Sequence, residues 1–170
     1  VARPSIESDC HFLTEAYVLA RECSPDPSSQ NAALLVNHDG IVVASAVNRF
    51  PDGVDFLQER SVAPLKYHFF EHAERNVIYD AARRGVPTFG LAMYCPWAAC
   101  SDCARAIIQA GIAVLVRHQC PGASNGKWTE SLAMAERMLH EAGVVVRTIS
   151  RKLDPSNTLS VRRSGELIFP

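Results

Sequence analysis

"CSDCARAIIQAGIAVLVRH", residues 100–118, decides the fold class. It reads as a helix from Cys100 to Ala110, closed by Gly111, and then as a strand in "IAVLVRH". A glycine just past the last helical residue accepts the left-handed backbone that ends a helix. A continuous apolar run after it fits a strand covered on both faces. The same helix–glycine–strand unit returns twice: "WTESLAMAERMLHEAG" stops at Gly143 before "VVVRTI", and a helix over 71–84 stops at Gly85 before "GLAMYC". Ahead of these units, residues 6–23 place Phe12, Leu13, Ala16, Tyr17 and Ala20 on one stripe, and "SPDPSS" ends that helix. Two apolar runs joined by Asn37-His38-Asp39-Gly40 then give the strongest short-range hairpin signal in the chain. A hairpin followed by alternating helices and strands implies an α/β fold, a three-layer α/β/α sandwich. Its five-stranded sheet is mixed, with the later strands parallel. The expectation is a single domain over 1–170, with about 150–170 as a polar C-terminal extension of undecided structure.

At 170 residues, with 48% apolar and 21% charged side chains, the chain has ordinary globular composition and can bury a core without staples. The net charge is -1 and no lysine/arginine block stands out, which disfavours a nucleic-acid partner. No apolar run approaches 18 residues and nothing at the start resembles a signal peptide, so the expectation is a soluble, cytoplasmic protein without a membrane partner. Two of the six cysteines form a C-x-x-C, which in that setting points to metal or redox use more than to disulfides.

The chemistry concentrates in two segments. "EHAERNVIYDAARRG", residues 71–85, holds His72 and Glu74 two apart, a spacing that makes side chains diverge on a regular helix. The conflict disappears in a first turn, where both can reach over the helix end. Cys100 and Cys103, an i, i+3 pair, share one face of another first turn, where the dipole favours thiolates. Both helices would open at the C-terminal edge of the sheet, where open α/β folds place their sites. One histidine and two thiolates suit a zinc ion that keeps a fourth position for water. Metal ligation lowers a water's pKa from about 15.7 to about 7, and Glu74 is then left over as a proton carrier. Three blander readings stand beside this one. His-x-Glu alone is a solvated helix start, the cysteines alone are half of a structural zinc site completed by Cys95 or Cys120, or they are a redox pair.

The conjunction of H-x-E with a later C-x-x-C resembles the zinc-dependent nucleoside and nucleotide deaminases. Within that superfamily, "CARAIIQAGIAVLV", "VVASAVNRFPDG" and "HAERNVIYDAARRG" look most like deoxycytidylate (dCMP) deaminases, over about residues 10 to 149. The resemblance implies a hydrolase taking dCMP to dUMP and ammonia, with one catalytic zinc held by His72, Cys100 and Cys103, and with Glu74 as the catalytic residue. It also implies that Asn48 bonds the sugar or base, and that backbone carbonyls at Ala98 and Ala99 meet the exocyclic amine. Asn76 and Arg83 match that family's helix. The candidates for a phosphate are Arg49, Arg60, Lys66, Arg83 and Arg117, and those for stacking on a pyrimidine are Phe50, Tyr67, Phe69 and Trp97. Members of the superfamily pack their sites at subunit contacts, so a homo-oligomer is expected, with Arg83 serving a neighbour's site. The chain departs from the family at Ala99 and Pro96, where proline and threonine are usual, and at Arg49, which replaces a glycine. Alternatives are deamination of a 5-substituted dCMP, cytosine, guanine or a tRNA adenosine, or nucleotide binding without turnover.

Overall fold

The computed structural model describes residues 5–119, 126 and 128–170. The first helix, α1 (Ile6–Cys23), starts at Ser5, whose hydroxyl accepts a hydrogen bond from the Ser8 amide at 3.2 Å. Two strands follow, β1 (Ala32–Val36) and β2 (Val42–Val47), then a short helical turn α2 (Lys66–Phe69) and helix α3 (Ala73–Arg83). Next come β3 (Ala92–Tyr94), α4 (Ser101–Gln109), β4 (Val114–His118), α5 (Thr129–Glu141) and β5 (Val145–Ile149). The extension forms a hairpin of β6 (Val161–Arg163) and β7 (Glu166–Ile168).

The five-stranded sheet runs β2-β1-β3-β4-β5. β1 is antiparallel to both β2 and β3, and β3, β4 and β5 are parallel. This is the mixed α/β sandwich expected from the sequence. All five residues of β1 are buried, because the strand is covered on both faces. Alternate side chains supply the two layers, as the pleat requires. Leu34 and Val36 meet Phe12, Leu13 and Ala16 of α1, while Ala33 and Leu35 join Val77, Ala81, Ile107 and Leu139 of the opposite helices. The hairpin turn is tied by Asn37, whose carboxamide oxygen accepts from the amides of Asp39 and Ile41. Gly111 ends α4 at φ +69°, and a Cβ there would sit 2.7 Å from the Phe89 ring.

Strand directions locate the working edge. β2 and β3 are both antiparallel to β1, so they run the same way, and β4 and β5 run with them. The C-terminal ends of β2, β3, β4 and β5 therefore lie at one edge, together with the start of β1. The segments leaving that edge are the 48–72 loop, the lead into α4 and the C-terminal extension, and the 24–31 loop enters it. The 48–70 stretch is closed at its base where Arg49 and Glu71 exchange backbone hydrogen bonds of 3.2 and 2.9 Å. Among the described residues no helix is long and apolar enough to cross a membrane.

Beneath the sheet, the buried Asp9 carboxylate of α1 accepts the Tyr94 hydroxyl at 2.9 Å and the Arg147 guanidinium at 2.8 Å. Burial, followed by that hydrogen bond, pushes the Tyr94 phenol up. Removing one partner of a buried ion pair strands the other's charge, at about 3 kcal/mol. Asp9→Ala should therefore lower the urea midpoint of unfolding by about 1–3 M for a slope of 1–3 kcal/mol per molar. An unchanged midpoint would remove this network from the account of stability.

Candidate active site

His72 and Cys100 each stand one residue ahead of a helix, in extended backbone with φ, ψ of −70°, 149° and −75°, 172°. Their carbonyls already accept the first helical bonds, from Asn76 and Ala104, both at 2.9 Å. This geometry resolves the two-apart spacing of His72 and Glu74. His72 is the cap, outside the helical rotation, and Glu74 is the second residue of the first turn. Cys103 lies on the first turn of α4. The sulfurs of Cys100 and Cys103 are 3.5 Å apart, and they lie 3.6 and 3.4 Å from His72 Nδ1. Zinc bonds of about 2.0–2.1 Å to nitrogen and 2.3 Å to sulfur, opened to the tetrahedral angle, require donors about 3.6–3.8 Å apart. The three side chains come within about 0.4 Å of that spacing. Among the described residues they are the cluster of three or more ligating groups.

The protonation pattern agrees with a site built around positive charge. A hydrogen bond from the Cys103 thiol, assisted by the His72 ring, holds Cys100 down at about 4. Cys103 moves the opposite way, pushed up as the donor of that bond and by burial. Burial pulls His72 down, but its hydrogen bond to Cys100 and the Glu74 charge outweigh that and raise it. Glu74 is 2% exposed, and burial pushes its carboxyl up against the opposing pull of His72. Its Oε2 is one of two buried side-chain polar atoms without a hydrogen-bond partner among the described residues. A buried carboxylate oxygen left unpaired costs about 1–3 kcal/mol or more, which suits a group whose partner is a ligand rather than the protein.

These residues open into a cleft of about 580 Å³, within the range of about 300–1,000 Å³ usual for small-molecule sites. Tyr67, Phe70, Trp97 and Trp128 supply its aromatic surfaces, and Ala98 lines it near Cys100. One wall is organised by Asp26, which sequence reading passed over. Its carboxylate accepts Lys66 Nζ twice at 2.8 Å, the Ser28 and Ser29 amides at 2.9 and 3.1 Å, and Asn48 Nδ2 at 3.1 Å. The signal was present in "DPSS", an aspartate two and three residues ahead of serine amides in a turn. Asn48 also lines the cleft, with all four bonding directions of its amide engaged: it donates to Asp26 and Ser29 and accepts from Ser24 and the Asn31 amide.

The other predicted contacts lie elsewhere. Arg49, Asn76 and Arg83 line a separate cavity of about 440 Å³ on the far side of α3. Arg49 and Arg83 grip Asp52 between them, and those hydrogen bonds, Arg49's first, hold its carboxyl at about 2. Asn76 donates to the Val47 and Glu71 carbonyls. Arg117 is paired with Glu136 and donates to Thr148, so it braces β4 against its neighbours instead of facing the cleft. Arg60 lies over the Phe69 ring. Phe50 and Phe69 pack on each other in the loop's own small core. Cys95 is buried against Asn31 and outside the donor cluster, Cys23 is exposed, and Cys120 lies outside the described residues.

Residues 6–119 match the family model of the cytidine and deoxycytidylate deaminase zinc-binding region. The chain belongs to this family. Zinc is the metal of the family, and His72, Cys100 and Cys103 lie close enough together to form a site for it. The deoxycytidylate deaminases of Mus musculus and Homo sapiens are 36% and 35% identical over 108 residues, which is 60% of this chain and 59% of each relative. The match thus spans under two thirds of those relatives' length. A deaminase from the luxG 3' region of Aliivibrio fischeri is 32% identical over 126 residues, covering 72% of this chain and 81% of that one. The fold is shared with the dCMP deaminase of cyanophage S-TIM5 crystallised with dCMP and dUMP, at TM-score 0.65 and 21% identity over 86% of this chain and all (100%) of that one.

Elemental analysis of the purified protein should find about one zinc per chain, since three charged or imidazole donors form one closed cluster. Cys100→Ser and Cys103→Ser should each lose most of it. Full zinc occupancy in both variants would disprove this ligand set.

Proposed function

We propose that the protein hydrolyses dCMP to dUMP with release of ammonia. The observation that carries this reading is the buried, unpartnered Oε2 of Glu74 beside a three-donor metal site. A purely structural zinc site has no use for such a carboxylate. The names of the mouse and human relatives, and the dCMP and dUMP bound by the cyanophage enzyme, support the choice of substrate.

Zinc with three protein ligands supplies an open position and the Lewis acidity that makes water a nucleophile near neutral pH. Glu74 then moves two protons. It takes one from the attacking water and delivers it to N3 of the cytosine ring. It carries the second from the hydroxyl at C4 to the departing amine, so the ring keeps the oxygen and ammonia takes the nitrogen. Its burial raises the carboxyl above the usual carboxylate range, which makes it a better proton acceptor. Ala98 brings its carbonyl to the exocyclic amine, and the aromatic walls exclude bulk water from the ring. Asn48 holds the sugar side of the cleft in shape through its bonds to Asp26 and Ser29.

In this reading residues 1–170 act as one deaminase unit and the extension is part of it. The unit works as a homo-oligomer: Val54, Phe56, Leu57, Val62, Leu65 and Tyr67 are 38–53% exposed along one loop beside the cleft mouth, an apolar surface that a second copy covers. Light scattering at micromolar concentration should report a multiple of 18.6 kDa; a lone 18.6 kDa particle contradicts the assembly.

Glu74→Ala should keep zinc and fold while losing about 10²–10⁴-fold in kcat. Ammonia release from dCMP, deoxycytidine, cytosine and guanine, compared as kcat/KM, tests the substrate. Preference for an unphosphorylated compound defeats the dCMP assignment, and retained turnover in Glu74→Ala defeats the proton-carrier role.

A further inference from the structure

The C-terminal hairpin lies beyond the 6–119 stretch that matches the family model, yet it forms part of the cleft wall. It gets there because β5 ends at the working edge and the chain then crosses to α1. Asp154 pins the crossing by accepting the Ser156 and Leu159 amides at 3.1 and 2.6 Å. Leu159, Val161 and Ile168 bury themselves against Tyr17 and Ala20 of α1. From that anchored position the hairpin zips onto the 24–31 loop. Gln30 donates to the Arg162 carbonyl and Gly165 to the Ser28 carbonyl, both at 2.8 Å, and the Ser164 amide donates to Ser29 Oγ at 3.2 Å. Arg163, Ser164 and Gly165 are thereby placed on the same cavity surface as His72 and Glu74.

We propose that this hairpin is the anion-reading wall of the cleft, and that Arg163 is the specificity-determining residue that engages the 5′-phosphate of a nucleotide. The proposal rests on the nucleotide reading above and adds the group that recognises the phosphate. The Arg163 guanidinium lies over the Trp97 ring, 4.5 Å from its centre. A guanidinium carries its N–H donors as a planar fork, the geometry that grips two oxygens of a phosphate, and the ring beneath it fixes where that fork sits. Trp97 stands three residues ahead of Cys100, so one short segment carries both the support of the cation and a metal donor. The cation is thus held at a set distance from the reacting end of the cleft. The 24–31 loop beneath it is itself braced, because the charge of Lys66 is balanced there by Asp26.

Calorimetric titration of the zinc-loaded full chain with dUMP, deoxyuridine and 2-deoxyribose 5-phosphate tests this without turnover. Wild-type protein should bind dUMP more tightly than deoxyuridine, and should bind the sugar phosphate alone. Arg163→Ala should weaken dUMP and the sugar phosphate by about tenfold to a hundredfold, as loss of charge-assisted hydrogen bonds predicts, with deoxyuridine as the unaffected comparator. Arg163→Lys, which keeps the charge and loses the planar fork, should recover only part. Unchanged dUMP affinity in Arg163→Ala overturns the proposal, as does equal weakening of dUMP and deoxyuridine. A wild-type protein that binds no phosphorylated ligand overturns it too. If dUMP binds through Arg163 but dCMP is not deaminated, the hairpin inference stands and the dCMP reading falls.

Discussion

Three donor atoms from residues 28 and 31 positions apart in the chain must meet within 3.4–3.6 Å, and the rest of the architecture serves that meeting. Two helices have to open at one point, which requires the segments before them to leave the sheet at the same edge. The reversal through β1 achieves this, since β2 and β3 are both antiparallel to it and so end together. Placing His72 and Cys100 one residue ahead of their helices matters as much. A cap residue has extended backbone and aims its side chain across the helix end, where unpaired amides and the dipole favour negative sulfur. Moved one turn into either helix, the same residue types would face the core or solvent.

The opposite wall of the cleft depends on a different device, a buried ion pair. Lys66 and Asp26 are both nearly enclosed, and taking two charges out of water costs several kcal/mol per ion before their attraction is counted. That cost is offset only if the remaining bonding directions are filled, and here they are: the Ser28 and Ser29 amides and the Asn48 amide complete the shell around the carboxylate. Three chain segments that share no secondary structure are joined by this one carboxylate. The cleft is therefore braced on that side, and the hairpin at 161–168 is laid on that prepared surface.

Charge is distributed so that the cleft and the cavity along α3 differ in kind. Around α3 and β2, Arg49 and Arg83 are spent on Asp52, so that surface carries mutually satisfied exposed pairs of small energetic weight. In the cleft, the unsatisfied group is an acid, Glu74, held among cysteines and an imidazole. An exposed pair can be made and broken at little cost, whereas a buried carboxylate without a partner persists only where the surrounding fold over-determines it.

Much of this was legible in the residues. Helix–glycine–strand units, continuous apolar runs and the Asn37–Gly40 turn state the fold class, because local periodicity and turn chemistry are properties of short segments. The metal donors and Glu74 were equally legible, since ligation and proton transfer demand particular residue types at helix starts, and few sequences combine H-x-E with C-x-x-C. What remained hidden depends on which distant segments share space. Arginine reads the same wherever it stands, so Arg49, Arg83 and Arg117 could not be told from a cleft residue until tertiary contacts paired them with Asp52 and Glu136. Asp26 looked like a helix-ending turn residue, and "VRRSG" read equally as a phosphate-facing strand or as a tail over a neighbour. Only the folded chain, by bringing α1, the 24–31 loop and the extension to one edge, made them the wall of a site. Sequence determined the chemistry and the edge at which it happens; tertiary structure alone decided what surrounds it, because burial and pairing are set by neighbours far away in the chain.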